Sequence, residues 1–411
     1  MSKTNRISEA IILAGGKGTR LQDVVSDVPK PMAPIIGIPF LGYLLEFLYQ
    51  HKMERVILSV GYKFESIRDY FGSHYKEMPL IYCIEDEPLG TGGAIKKALE
   101  LAQNYNVLVI NGDTYFPIDL QNLNGSEADC IIAAKTMKVA DRYGTLITKS
   151  NIVTGFNEKQ PGSSGLINAG IYLIKRKIKT IIPEGRVSFE ADVLPKLCSE
   201  NKVKYNVFDS YFIDIGIPED YQQFQSDMSK TALQKLPIDK SWTLFLDRDG
   251  VINERLIDDY VKQLNELEII NGVPEAIQIF TQKFSRIVVV TNQQGIGKGM
   301  MTADDLSIIH GYIAEVVKQA GGKIDKFYFA PQLAKEKSNF RKPGTGMGLQ
   351  AKEDYPEIIF EKSLMIGDSE SDIEFGIKLG MKTIMLKNGR NLMTKADYIF
   401  ENLHEVARAI E

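Results

Sequence analysis

Residues 243–253 read TLFLDRDGVIN. Thr243 and three apolar residues run into Asp247, an arginine, Asp249 and Gly250. A short apolar run of this kind suits a strand buried on both faces of a parallel sheet. Two carboxylates one residue apart at its end suit chemistry at the sheet edge where open α/β folds place their ligands. Residues 10–21 read AIILAGGKGTRL, a second strand-like run that leads into Gly15, Gly16, Gly18 and then Arg20. Glycines there let backbone N–H groups approach a phosphate chain. The pattern is neither a Walker loop nor G-x-G-x-x-G. One stretch suits removing a phosphate and the other suits holding a chain of them.

Working outward, both halves alternate strand-like and helix-like segments. EAIILA, RVILSV and NVLVING alternate with PFLGYLLEFLYQH and GGAIKKALELA. After a polar stretch at 226–242, TLFLD, RIVVVTN, KFYFA, SLMIGD and KTIMLKN alternate with PEAIQIFTQKF, ADDLSIIHGYIAEVVKQA and DIEFGIKLG. Such alternation predicts two α/β domains, each a doubly wound parallel sheet. The expected division is a first domain over 1–232, a linker over 233–241 and a second domain over 242–411.

The chain has 411 residues, enough for two or three domains. Its net charge of -4 supplies no global field for nucleic acid, so local Lys and Arg residues must do any phosphate binding. Cys83, Cys130 and Cys198 are far apart and odd in number, which argues against a disulfide framework and fits a reducing compartment. The N-terminal apolar run is too short for a signal peptide or a span, so a cytoplasmic protein without a membrane partner is expected.

The first glycine loop does not stand alone. VPKPMAPI sets Lys30 between two prolines, PLGTGGA is a second glycine loop opening a helix, and VINGD ends a strand at Asp113. With FNEKQ, INAGIYLI, SFEADVLP and FIDIGIPEDY, these stretches resemble the sugar-1-phosphate nucleotidyltransferases over roughly residues 8–225. VVSDVPKPMAPI, SVGYK and EPLGTGGAI look most like the heptose-1-phosphate guanylyltransferases. The resemblance implies a Rossmann-like fold with the nucleotide held by Leu13, Ala14, Gly15, Gly16, Gly18, Thr19, Arg20, Gly90, Thr91 and Gly93. It implies Arg20 and Lys30 at the reacting phosphates, Glu158, Lys159 and Asn168 on the sugar phosphate, and Mg²⁺ on Asp113 and Asp214. One departure is Gln160, which separates Lys159 from the proline that often follows it in the family. The reaction joins two anions, so it needs cations and a metal rather than a covalent nucleophile.

In the second half LFLDRDG, VVVTNQ, RKPGTGM and MIGDSESD occur in that order. Together they resemble the haloacid-dehalogenase-like phosphatases over roughly residues 242–390. Asp247 is the expected nucleophile and Asp249 the general acid and base. Thr291 is expected to offer a hydroxyl and Lys342 to offset the anionic charge. The resemblance implies Mg²⁺ on Asp247, Asp249 and Asp368, with Asp372 in support. About 40 residues separate the Asp pair from Thr291 and about 50 separate Thr291 from Lys342, too few for a large cap domain. DYVKQLNELEIINGV and FRKPGTGM look most like the heptose bisphosphate phosphatases and their histidinol-phosphate relatives. That implies substrate contacts from Asn292 and from Arg341, the latter on a second phosphate. Many relatives carry a Cys/His zinc cluster before R-K-P, but FYFAPQLAKEKSNFRKP has neither residue, so no zinc is expected. Gly344 stands where relatives often carry His.

Taken together, the motifs imply a bifunctional enzyme. One half removes the C7 phosphate of D-glycero-α-D-manno-heptose 1,7-bisphosphate. The other transfers GMP from GTP to the resulting heptose 1-phosphate, for surface-glycan synthesis. The expected partners are these small molecules, with a homo-oligomer possible. One alternative is a transferase for mannose 1-phosphate or phosphocholine fused to a histidinol-phosphate-like phosphatase. The other is a non-catalytic regulatory protein.

Overall fold

The structure, a computed structural model, describes residues 7–16, 28–124, 127–157, 164–257, 259–390 and 394–411. The chain separates into two compact units, Met1–Gln222 and Gln223–Glu411.

Among the described residues, the main sheet of the first unit has ten strands: β1 (Glu9–Leu13), β2 (Arg55–Val60), β3 (His74–Tyr75), β4 (Met78–Ile84), β5 (Asn106–Asn111), β6 (Cys130–Met137), β7 (Thr145–Lys149), β8 (Ile152–Asn157), β9 (Gly165–Lys175) and β10 (Val203–Val207). Their order in the sheet is β7-β8-β10-β6-β9-β5-β1-β2-β4-β3. β1 pairs in parallel with β2 and β5, and β2 with β4. The sheet is nevertheless mixed, because β9 runs antiparallel to both β5 and β6. The connections from β6 to β9 are too short for the helical crossover that parallel neighbours require. Helix Phe40–Gln50 buries Phe40, Leu41, Leu44, Leu45 and Leu48. Helix Gly90–Leu101 buries Ile95, Ala98 and Leu99 in a core shared with Ile11, Val107, Val109 and Tyr172. Both faces of the sheet are thus covered, as the apolar runs of β1 and β5 demand.

Among the described residues, the second unit has six strands, all parallel: β11 (Thr243–Leu246), β12 (Arg286–Asn292), β13 (Lys326–Ala330), β14 (Ser363–Gly367), β15 (Lys382–Leu386) and β16 (Tyr398–Phe400). Their order is β13-β12-β11-β14-β15-β16. Leu244 and Leu246 enter one core with Phe280, Val289, Ile309 and Ile384, while Phe245 between them enters another with Val290, Met347 and Phe375. That alternation is the period of two expected of a strand buried on both faces.

The division at 222–223 falls inside helix Pro218–Leu233. Leu233 lies in the second core with Leu236 and Ile238 against it, and Ser229 Oγ accepts from the Ile399 N–H at 2.9 Å. The stretch expected to be a linker therefore packs onto the second unit, which its spaced apolar residues make possible. Among the described residues, no helix is long and apolar enough to cross a membrane.

Candidate active sites

In the first unit, β1 and β5 end side by side, Leu13 opposite Asn111. Asp113 lies just beyond β5. The short strand Ile213–Asp214 pairs with Thr114–Tyr115, and the Ile215 N–H donates to the Asp113 carbonyl at 2.9 Å. This small ladder brings together two aspartates a hundred residues apart in sequence. Lys30, at the start of the 3₁₀ turn Lys30–Met32, donates from Nζ to Asp113 Oδ2 at 2.7 Å and lies 3.7 Å from Asp214 Oδ1. Burial pushes the Asp214 carboxyl up to about 6, the neighbouring Asp113 adds to this, and Lys30 opposes it. Asp214 Oδ1 is buried and makes no hydrogen bond. A buried carboxylate oxygen without a donor, beside a second carboxylate, fits a hard divalent cation such as Mg²⁺.

A cleft of about 700 Å³ opens next to this pair, lined by Asn111, Arg142, Tyr143, Asn168, Glu190 and Asp214 among others. Glu190 sits on a short π-helix, Phe189–Val193, a geometry that often marks functional positions. It accepts from Thr91 Oγ1 at 2.7 Å and from Tyr172 Oη at 3.0 Å, while Asn168 Nδ2 donates to Tyr172 Oη at 2.7 Å. The Thr91 hydroxyl also accepts from the Phe189 N–H at 2.8 Å, so its side chain braces Glu190. Gly90 has φ +68°, and a Cβ there would come within 2.5 Å of the Val187 carbonyl oxygen. The second glycine loop thus lets its helix begin against the segment that carries Glu190. Gly93 approaches the Gly185 carbonyl in the same way. Gly15 and Gly16 follow β1, and the Ala14 N–H donates to the Ser59 carbonyl at 2.7 Å. Gly18, Thr19, Arg20, Glu158 and Lys159 lie outside the described residues. Sequence reasoning did not single out Glu190, Arg142 or Tyr143. The only available signal was the polar R-Y-G turn at 142–144 and the acid inside SFEADVLP.

In the second unit, β11 ends at Asp247, whose N–H donates to the Ile366 carbonyl of β14 at 2.9 Å. Lys342, with 1% of its side chain exposed, lies 2.8 Å from Asp247 Oδ1 and 2.5 Å from Asp372 Oδ1, and its Nζ donates to the Val290 carbonyl at 2.6 Å. Oxygens of Asp247, Asp368 and Asp372 all lie within 4.8 Å of one another. Burial pushes the Asp247 carboxyl up to about 7, and Asp372 adds to this against the opposing charge of Lys342. Burial and Asp372 also raise Asp368, against Arg255 and Arg390. Three crowded carboxylates with one lysine fit a divalent cation that completes the charge balance. Gly250 has φ +83°, and a Cβ there would lie 2.3 Å from Asp368 Oδ2. Glycine at this position leaves room for the third strand-end acid.

Two expected placements differ. The Asp249 carboxylate, expected at the metal, is turned away from the cluster, and Asp372 supplies the third oxygen instead. Asp249 accepts from Arg248 Nε at 3.1 Å, Arg248 Nη2 at 2.7 Å, Asn253 Nδ2 at 3.0 Å and Gln293 Nε2 at 2.7 Å. Burial pushes its carboxyl up, but the charge of fully buried Arg248 and these hydrogen bonds outweigh it and hold the group below the usual range. Asn292, expected on substrate, clamps Lys342 from both sides: Nδ2 donates to the Lys342 carbonyl at 3.1 Å and Oδ1 accepts its N–H at 3.0 Å. Thr291 is the penultimate residue of β12, and its hydroxyl accepts from Gln293 Nε2 at 2.9 Å. Arg341 is half-buried, which lowers its affinity for a proton, and its Nη1 is buried without a hydrogen-bond partner. Arg248 and Gln293 were visible only as letters within larger motifs.

Both halves of the chain are similar to known proteins. A HAD-hydrolase-like family model matches residues 339–407. The D-glycero-alpha-D-manno-heptose 1-phosphate guanylyltransferase of Aneurinibacillus thermoaerophilus is 47% identical over 225 residues, covering 54% of this chain and 98% of that protein. The protein of the same description from Campylobacter jejuni is 45% identical over 218 residues, covering 53% and 98%. The crystal structure of HddC from Yersinia pseudotuberculosis is similar with a TM-score of 0.50 at 40% identity, covering 54% of this chain and all of that one. Residues 9–231 match the nucleotidyl transferase family model, more than half of the 411 residues, and the chain belongs to the nucleotidyl transferase family.

Proposed function

We propose that the first unit transfers GMP from GTP to D-glycero-α-D-manno-heptose 1-phosphate, and that the second first removes the C7 phosphate from the 1,7-bisphosphate. The observation that carries the reading is the 47% and 45% identity to two heptose 1-phosphate guanylyltransferases over 98% of each. The HAD-like match and the Asp247–Lys342 pair support the phosphatase step.

In the transfer, an oxygen of the sugar phosphate attacks the α-phosphorus in line. The bond from that phosphorus to the β-phosphate bridging oxygen breaks, and pyrophosphate leaves. Lys30 stands where it can meet the reacting phosphates, and Asp113 and Asp214 would hold Mg²⁺, which offsets the accumulated negative charge. Glu190 and Asn168 face the cleft as acceptor and donor for sugar hydroxyls. Gly18, Arg20 and Lys159 are assigned to the triphosphate and the sugar phosphate.

In the hydrolysis, Asp247 attacks the C7 phosphorus, the bond from phosphorus to the C7 oxygen breaks, and an aspartyl phosphate forms. Asp249 is assigned the general acid and base: it must leave Arg248 and Gln293, which hold it ionised here, to carry a proton to the alkoxide, and it then takes one from the water that cleaves the acyl phosphate. Lys342 neutralises charge on the nucleophile and the phosphoryl group, Thr291 offers its hydroxyl, and Asp247 and Asp368 with Asp372 would hold the cation.

Mass spectrometry of products from GTP, ATP, CTP and UTP with heptose 1-phosphate tests the transferase. GDP-heptose should dominate, and another nucleotide sugar would refute the base assignment. Asp247→Asn tests the order. With GTP it should release pyrophosphate from heptose 1-phosphate near the wild-type rate and almost none from the 1,7-bisphosphate. A nucleotide sugar that keeps its C7 phosphate would refute the order.

A further inference from the structure

Two arginines that the chemistry above leaves unused meet at Asp368. Arg255 follows β11 and Arg390 follows β15, yet both reach the same atom. Arg255 Nη1 lies 3.4 Å from Asp368 Oδ2, and Arg390 Nη2 lies 3.3 Å from it. The Asp368 side chain is 4% exposed, while those of Arg255 and Arg390 are 56% and 43% exposed. The guanidinium groups therefore approach a buried carboxylate from the solvent side. The phosphoryl end of the site is already served by Lys342, whose side chain is 1% exposed.

The grip on Asp368 is weak by design of its geometry. Each contact to Oδ2 is single and long, whereas a strong guanidinium–carboxylate pair is bidentate and short. Half-exposed pairs are also screened by water. Asp368 is one of the three carboxylates that would take a divalent cation. Once it does, both guanidinium groups face a like charge where they had a partner. Arg390 stays tethered, since its Nε donates to the Lys387 carbonyl at 3.1 Å and its Nη2 to the Asp368 carbonyl at 2.8 Å. Arg255 makes no other polar contact among the described residues. One guanidinium group released and one tethered but half-exposed, both at the mouth of the proposed phosphatase site, are suited to a phosphate by charge and by planar geometry.

We propose that Arg255 and the tethered Arg390, in addition to Arg341, hold the non-reacting phosphate of a diphosphorylated sugar, and that cation binding at Asp368 is what frees Arg255 to do so. This rests on the proposed phosphatase reaction and names the feature that selects its substrate. No covalent step is involved.

The test uses the full chain without GTP and compares the heptose 1,7-bisphosphate with the heptose 7-phosphate, which lacks the second anion. The readout is the ratio of the two kcat/KM values, in which general damage to the site cancels. Arg255→Gln and Arg390→Gln should each lower that ratio tenfold or more, and Arg255→Lys should restore part of it. A second readout needs no turnover. Calorimetric titration of the metal-free protein with Mg²⁺ should show at least threefold tighter binding at the phosphatase site in Arg255→Gln, because a competitor for Asp368 is gone. An unchanged ratio overturns the proposal, and so does an unchanged or weakened Mg²⁺ affinity. If the parent hydrolyses neither sugar, the proposed reaction falls by itself, and the Mg²⁺ titration still judges the arginines.

Discussion

Asp247→Asn should stabilise the metal-free second unit at pH 8. Asp247, Asp368 and Asp372 crowd within 4.8 Å and share a single buried lysine, Lys342. The Asp247 carboxyl sits at about 7 in the folded protein against an ordinary 3.8. A displacement of that size is on the order of 4 kcal/mol as an upper bound. The raised folded value sets the sign. Between about pH 4 and pH 7 the folded state holds a proton that the unfolded chain has released, so stability is lost as pH rises through 7. At pH 5 the wild type avoids most of this cost, and at pH 8 it bears all of it. Asparagine removes the charge at every pH, but its amide still needs partners, so a gain of about 1–3 kcal/mol at pH 8 is expected. For a unit of this size that is several degrees in Tm, at about 2–4 °C per kcal/mol. Trp242 is the sole tryptophan and is buried at the foot of β11, so its fluorescence reports unfolding of this unit alone. In EDTA, the variant should melt higher than wild type at pH 8 and close to it at pH 5. With saturating Mg²⁺ the order should reverse, because only the intact trio binds the ion well. A variant that melts no higher at pH 8, or equally higher at both pH values, would refute the reasoning.

The two site lysines should respond differently to methionine. Lys342→Met leaves two carboxylates that are 12% and 1% exposed without a counter-charge and should cost about 3–5 kcal/mol by Trp242 fluorescence, while Lys30→Met leaves carboxylates that are 38% and 32% exposed and should cost about 1 kcal/mol or less. Lys30→Met should nonetheless lower pyrophosphate release about 100-fold or more. Glu190→Gln should lower kcat/KM for the sugar phosphate about 10- to 100-fold, mostly through KM, and an unchanged KM would remove Glu190 from the sugar site. Residues 1–232 alone should retain nucleotidyl transfer, since the family match ends at 231, and an insoluble or inactive fragment would count against that boundary.

What could be read from the letters was whatever is local. Asp247, Thr291 and Asp368 each end an apolar run, so strand, strand end and acid come from a few adjacent residues. Direction was not local. Nothing in D-R-D-G says that Arg248 folds back under Asp249, because that depends on Gln293 and Asn253 arriving from the turn after β12 and the loop after β11. Asp372 could be placed on a helix by spacing, yet its oxygen reaches the cluster only because that helix packs on β14. In the first unit, Asp113 was plain at the end of β5. Glu190 was not, since it reaches the cleft through a π-turn braced by Thr91 and Tyr172 from distant elements. The antiparallel β9 was missed for a related reason. Apolar runs announce strands, but only the length of the connections announces their direction.

The two sites solve one electrostatic problem in the same way. On the proposed reactions, each must bring anionic substrate to a strand end that already carries carboxylates, which the proposal assigns to metal or to nucleophilic attack. In each, a lysine stands between two aspartates: Lys30 between Asp113 and Asp214, and Lys342 between Asp247 and Asp372. The lysine keeps the acids close before cation and substrate arrive, so the site needs little rearrangement when they do. The difference lies in depth. Lys342 is sealed in, as suits a covalent step in which the aspartyl phosphate must be shielded from stray water. Lys30 is 13% exposed and its acids 38% and 32%, with Asp214 on the wall of a cleft, as suits the proposed direct transfer between two large ligands. The shared arrangement follows from the charge of phosphate and the separate depths follow from the two reactions, so likeness between the sites needs no common ancestry to explain it.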